Sequence, residues 1–329
     1  MANPVFGNGQ YRFQVVDGFF KRPRKWPYID VADVAVDKDD NVYVFNRSQH
    51  PMMVFDKDGK FLDAWGEIGV NFSVPHGVTV APNGDVLTAD TGDHTVRRWT
   101  KEGKLLLTIG RPYINAPEQS GQPFNRPTHL AVASNDDYYA TDGYGNSHVH
   151  CFDPYGKLKF SWGSHGSGPG QFDTIHSIFI DYQDGGKLYI ADRYNNRVQV
   201  FTPKGEFLAQ WPGLNLANSV RKGPDGNFYV AELDHRISIV DRNGKLLARW
   251  GDTGVEMDDT STAGGLPNSP SRNPQIKGRV LHEPGAGLFS SPHGIAVDSQ
   301  GSFYVAEVCE TFAGLDRGNR NIQKFVRVK

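Results

Sequence analysis

At 329 residues the chain is long for one ordinary domain, but all-β propellers reach this size by repetition, so length alone does not imply two domains. A formal net charge of −2 and a pI of about 6.6 exclude the electrostatic footprint of a nucleic-acid or anionic-membrane binder. The 2 cysteines, Cys151 and Cys309, are too few for a disulfide framework and leave room for a single bridge, and no apolar run is long enough for a signal core or a membrane span. These features lead us to expect a soluble, cytoplasmic protein.

The first strand-like run, Tyr11–Val16 (YRFQVV), alternates apolar and polar residues and has no partner nearby in the sequence. From Val34 onward one unit recurs six times. Its first strands are Val34–Asp37, Val78–Ala81, Leu130–Ala133, Ile178–Asp181, Val220–Gly223 and Ile295–Asp298. Each leads through a turn rich in Asp, Asn and Gly to a second strand that ends in Asn46, Asp90, Asp142, Asp192, Glu232 or Glu307. The residue leading into the first strand lies at one constant separation from that terminal residue in five copies: Ala32 to Asn46, His76 to Asp90, Thr128 to Asp142, Asn218 to Glu232 and His293 to Glu307. The fourth copy, His176 to Asp192, is longer because its turn is longer.

Third strands follow in every copy and fourth strands in five of them. A repeat of this period predicts an all-β, six-bladed β-propeller. The sixth copy lacks a fourth strand, so Tyr11–Val16 is expected to complete it and close the ring, which removes an exposed sheet edge. The expected organisation is one propeller domain over residues 1–329, with a Gly/Ser/Pro-rich insertion at 252–287 that reads as a lid. The stretch GQFDTIHSIFIDYQDGGKLYIADRYNNRVQVF resembles the NHL repeat, and that resemblance extends over essentially the whole chain.

The leading-in position holds Ala32, His76, Thr128, His176, Asn218 and His293 in turn, so histidine falls on blades two, four and six. In a six-bladed ring those blades are related by three-fold symmetry, and the starts of the inner strands lie nearest the axis. Any one of these histidines is explained by a structural habit of the repeat. Three of the 11 histidines on the three symmetry-related places point instead to a metal site. Three neutral imidazoles with an open fourth position form the ligand set of catalytic zinc, and other divalent transition metals accept the same set. His50, His94, His148, His150 and His235 read as surface or packed residues, and His129 as a candidate supporting residue one position past the axial one.

Residues just after each second strand share the metal's face. Arg47 and Arg193 occupy that place on blades one and four, with Tyr144 on blade three. Each arginine alone is explained by an ion pair with a neighbouring acid. Together they suit a small carboxylate, because guanidinium binds carboxylate through two parallel hydrogen bonds. Tyr144 is the candidate base, with its pKa expected below the usual value of about 10 beside a dication and two arginines.

The motifs VFNR, PHGVTV, FNRPTHLAV, TDGYGN, HSIFI, ADRYNNR and PHGIAV resemble, in this order, those of the peptidyl-α-hydroxyglycine α-amidating lyases. The resemblance implies a zinc propeller that splits a carbinolamide into an amide and glyoxylate. It places zinc on His76, His176 and His293, the catalytic tyrosine at Tyr144 and the paired arginines at Arg47 and Arg193. Gly294 stands where the family has an Asp that supports a structural calcium, and Gly145 where it has a Cys, so neither calcium nor a secreted peptide-processing role is expected. Two other functions fit the same pattern: a metal-dependent hydrolase of a lactone, ester or amide, and a non-catalytic NHL platform for protein or RNA.

Overall fold

The computed structural model describes residues 4–251 and 284–328. Within them lie six antiparallel sheets arranged as the blades of a propeller. Blade one comprises Val31–Val36, Val42–Asn46, Met52–Phe55 and Phe61–Trp65, and blades two to five repeat this up-and-down order. Blade six pairs Pro292–Val297, Phe303–Glu307 and Ile322–Arg327 with Tyr11–Val16, whose Val16 lies opposite Lys324. The expected closure by the N-terminal strand is therefore present, and a further strand, Val5–Asn8, adds a fifth to this blade. Most of the expected lid, residues 252–283, lies outside the described residues. No helix among the described residues is long and apolar enough to cross a membrane.

Alternation along the strands gives each blade two apolar faces, and six buried clusters form, one at each interface between neighbouring blades. Between blades four and five, Tyr189 stacks at 4.4 Å on Phe228, and Trp211 meets the same ring edge-on at 5.0 Å.

In blades two, three, four and six the acid that ends the second strand ties its blade to the preceding loop. Asp192 accepts the backbone N–H of Asp173 at 2.8 Å, together with side-chain donors from Asn195, Arg197 and Gln199. Asp90 likewise accepts from the N–H groups of Ser73 and Val74, and Glu307 from those of Ser290 and Ser291. The repeat retains these acids because a loop entering a buried ring would otherwise leave its backbone donors unpaired. The next residue is held as well: the N–H groups of Arg47, Arg193 and Leu233 donate to the carbonyls of Asp30, Thr174 and Leu216.

Candidate metal centre

Except in blade three, where Thr128 stands just before its strand, the axial residues do not precede the inner strands, as the sequence suggests, but lie inside them. In five blades the register slips by one residue at this point: Pro75 pairs with Asp90 and Gly77 with Ala89, which leaves His76 as the extra residue of a β-bulge. Ala32, His176, Asn218 and His293 sit in the same bulge in blades one, four, five and six. A bulge re-aims its extra side chain, and here it turns that side chain toward the axis.

His76, His176 and His293 converge there, each about 2–3% exposed, with one ring nitrogen of each lying within 4.8 Å of the others. The Nδ1 atom of each ring faces a backbone carbonyl of the next blade: His76 that of Thr128 at 2.7 Å, His176 that of Asn218 at 2.9 Å and His293 that of Ala32 at 2.5 Å. A carbonyl only accepts, so each Nδ1 carries the proton and each Nε2 presents a lone pair to the axis. Burial, reinforced by neighbouring arginine charges and, for His76 and His176, by neighbouring histidines, holds all three pKa values well below the ordinary 6.5, so the rings are neutral. Three neutral nitrogen donors, each fixed through its other nitrogen, fit a divalent transition metal ion.

Tyr144 reaches this cluster from blade three. Its hydroxyl lies 2.8 Å from His76 Nε2 and 3.1 Å from His176 Nε2, and its single proton can be donated to only one of them. From the protein groups alone, burial outweighs the pull of Arg193 and Arg47 and the Tyr144 pKa stands above its ordinary value; the expected lowering rests on the added charge of a dication.

The two arginines differ. Arg193 is fully buried, with its guanidinium 5.3 Å from the Tyr144 ring centre and 4.9 Å from that of Tyr194. One of its nitrogens donates to Asn218 Oδ1 at 3.4 Å, while Nε and Nη2 meet no hydrogen-bond partner and no carboxylate pairs with it among the described residues. Arg47 is bound by protein: it donates to Asp30 Oδ2 at 3.1 Å, Thr311 Oγ1 at 3.2 Å and the Pro75 carbonyl at 3.2 Å. The ion-pair explanation therefore holds for Arg47 and fails for Arg193.

Several residues around the site give no signal in the repeat. Asp30 and Thr311 hold Arg47, Thr311 from a short helix, Cys309–Ala313, inserted between the second and third strands of blade six. Tyr194, Leu216, Leu233, Val308 and Phe312 form a separate apolar cluster beside Arg193. Arg126 donates to the Tyr144 carbonyl at 3.0 Å.

Below the histidines, His129 has the supporting place expected of it: its Nε2 lies 3.1 Å from Asp33 Oδ2 and 2.9 Å from Arg221 Nη2. Asp33 and Arg221 carry no such signal in the repeat. Asp33 is already balanced by Arg221 at 3.8 Å and occupies the space a side chain at Gly294 would need, so these residues do not make an oxygen cage for calcium. Cys151 and Cys309 are both free and buried.

Known proteins fit this architecture. The NHL repeat model matches residues 72–99, 124–152, 179–201 and 289–312, and the chain is an NHL-repeat, six-bladed β-propeller. It is 33% identical over 227 residues to NHL repeat-containing protein 3 of Homo sapiens, covering 63% of each chain. It is 28% identical over 198 residues to a probable peptidyl-alpha-hydroxyglycine alpha-amidating lyase of Caenorhabditis elegans, covering 52% of this chain and 55% of that one. The chain thus spans between half and two thirds of the length of these two relatives. Virginiamycin B lyase of Staphylococcus aureus shares the fold, with a TM-score of 0.57 at 14% identity over 96% of this chain and 100% of that one.

Proposed function

We propose that the chain is a metal-dependent lyase that breaks a C–N or similar bond at the α-hydroxy carbon of a small carboxylate, releasing glyoxylate or a related oxo acid. The observation that carries this reading is Arg193: a fully buried guanidinium without a carboxylate partner, beside Tyr144 and three converging imidazoles. A buried charge without a counterion is costly, and an anionic substrate supplies the missing partner. Relatives named as amidating lyases support the same chemistry.

His76, His176 and His293 would hold the metal ion through Nε2. When bound, a divalent ion such as zinc supplies Lewis-acid polarisation of the substrate hydroxyl and a positive charge that favours the tyrosine phenolate. Arg193 binds the substrate carboxylate and turns the hydroxyl toward Tyr144, while Arg47, held by Asp30, Thr311 and Pro75, adds positive charge to the site. The Tyr144 oxygen takes the hydroxyl proton, the C–N electron pair leaves with nitrogen as the C=O bond forms, and the proton passes from Tyr144 to the departing nitrogen. Atoms balance without water, which separates this reaction from hydrolysis.

Incubation of metal-loaded protein with an α-hydroxyglycine derivative should release glyoxylate and the amide in equal amounts. Tyr144→Phe should lower kcat by roughly 10²-fold or more, the usual weight of a general base. Arg193→Lys should raise KM without lowering Tm, because a point charge cannot reproduce bidentate binding. Rapid turnover of a lactone or ester, with labelled water oxygen in the product and no loss in the Phe variant, would overturn the lyase in favour of a hydrolase.

A further inference from the structure

We infer that Asp33, His129 and Arg221 form a cross-brace under the three histidines that sets the orientation of the metal-binding rings without touching them. The inference rests on the metal-site reading above and extends it to the odd-numbered blades.

The argument follows the peptide bonds. The oxygen that holds His293 belongs to the peptide unit joining Ala32 to Asp33, and the oxygen that holds His76 to the unit joining Thr128 to His129. The oxygen that holds His176 belongs to the unit joining Asn218 to Ser219, two residues before Arg221 on one strand. A planar peptide unit turns as one body, so fixing the residue that supplies its nitrogen fixes its oxygen. The three side chains come from blades one, three and five, and they meet. Arg221 reaches from blade five to within 2.9 Å of His129 Nε2 and 3.8 Å of Asp33 Oδ2. His129 and Asp33 approach to 3.1 Å across the axis.

His129 Nε2 can accept from Arg221 or donate to Asp33, but not both, so the nearby guanidinium charge balances the Asp33 carboxylate in either arrangement. Asp33 also accepts the N–H of Val34 through Oδ1 and that of Val78 through Oδ2, each at 2.9 Å. Val78 lies two residues past His76, so Asp33 grips one even blade as well as its own. Removing the guanidinium leaves a buried carboxylate whose rearrangement turns the very peptide units that keep Nδ1 protonated and Nε2 free.

The test reads ring tautomers in metal-free protein by nitrogen NMR of labelled histidine, and then zinc affinity. In the wild type, His76, His176 and His293 should carry the proton on Nδ1. Arg221→Met should mix the tautomers and weaken zinc binding by roughly 10- to 100-fold, the usual cost of losing an outer-shell partner, and Arg221→Lys should recover part of it. Arg197→Met, which breaks an equally buried network away from these peptide units, should lower stability and leave tautomers and zinc affinity alone. Should Arg221→Met fail to fold, the pair Asp33→Asn with Arg221→Met, which unlinks the three blades and leaves no charge behind, should still mix the tautomers because the side-chain link between these peptide units is lost. Unchanged ring signals and zinc affinity in the Arg221 variants, or an equal loss in Arg197→Met, would overturn the inference. A wild type that binds no zinc yet changes tautomer on Arg221→Met would overturn the metal-site reading and leave the brace standing.

Discussion

Even and odd blades use one repeat position in opposite ways. Blades two, four and six place a histidine at the bulge and follow it with a small residue, Gly77, Ser177 or Gly294. Blades one and three place the small or backbone-bonding residue first, Ala32 and Thr128, and follow it with the larger Asp33 and His129. The two patterns interlock. A side-chain carbon at Gly77 would lie 2.5 Å from the Thr128 carbonyl oxygen and 2.7 Å from His129 Cδ2, and one at Gly294 would overlap Asp33. Blade five keeps the even order, Asn218 before Ser219, so only blades one and three reverse it; all three odd blades contribute carbonyl oxygens where the even ones contribute rings.

The sharpest way to break this comparison is to exchange side chains within it. Alanine at His76, His176 or His293 should drop bound metal, measured by elemental analysis, from about one ion per chain to a small fraction. Thr128→Ala should keep the ion, because Thr128 supplies its backbone oxygen, and should cost only about 0.5–1.5 kcal/mol for each net hydrogen bond lost by the hydroxyl. Equal metal loss in Thr128→Ala would erase the distinction between the two kinds of blade.

Acid should act on the even blades next. Their rings have pKa values well below 6.5 when folded, so below about pH 6.5 the unfolded chain binds more protons than the native one, and stability falls as pH falls. Metal-free protein should lose up to about 1.4 kcal/mol per pH unit for each ring in chemical denaturation. This stability is fully present above pH 6.5. His176→Gln should flatten the slope by about a third, and an unaltered slope would place the titration elsewhere. The smallest effects belong to the residues after the histidines: Gly294→Ala should cost roughly 1–3 kcal/mol by overpacking against Asp33, whereas Ser177→Ala, which removes a buried hydroxyl without a partner, should change stability by less.

Much of this was legible in the sequence. A constant spacing between the axial residue and the acid ending the second strand places six blades in register, and histidine on alternate blades points to one axial site. The spacing is readable because in four blades the acid must reach the same backbone donors, as Asp90, Asp142, Asp192 and Glu307 do. The bulge was not readable, since a one-residue slip changes no spacing. Asp33 and Arg221 were hidden because Arg221 stands at a different step of its strand and reaches the axis by side-chain length. The burial of Tyr144, whose desolvation exceeds the pull of two arginines, does not show in residue type. The fifth strand of blade six and the helix that carries Thr311 break the repeat, so the repeat could not announce them.

Blade six also sets an order of assembly. Its sheet joins Ile322–Arg327 to Tyr11–Val16, a strand that lies five blades earlier in the chain. Blades two and four, with His76 and His176, pair strands that are contiguous in sequence, whereas His293 is seated in a sheet that depends on the later meeting of Ile322–Arg327 with Tyr11–Val16. The third nitrogen therefore comes last, and the chain offers two axial imidazoles until the circle is shut. An axial site that needs all three rings is complete only in the finished circle.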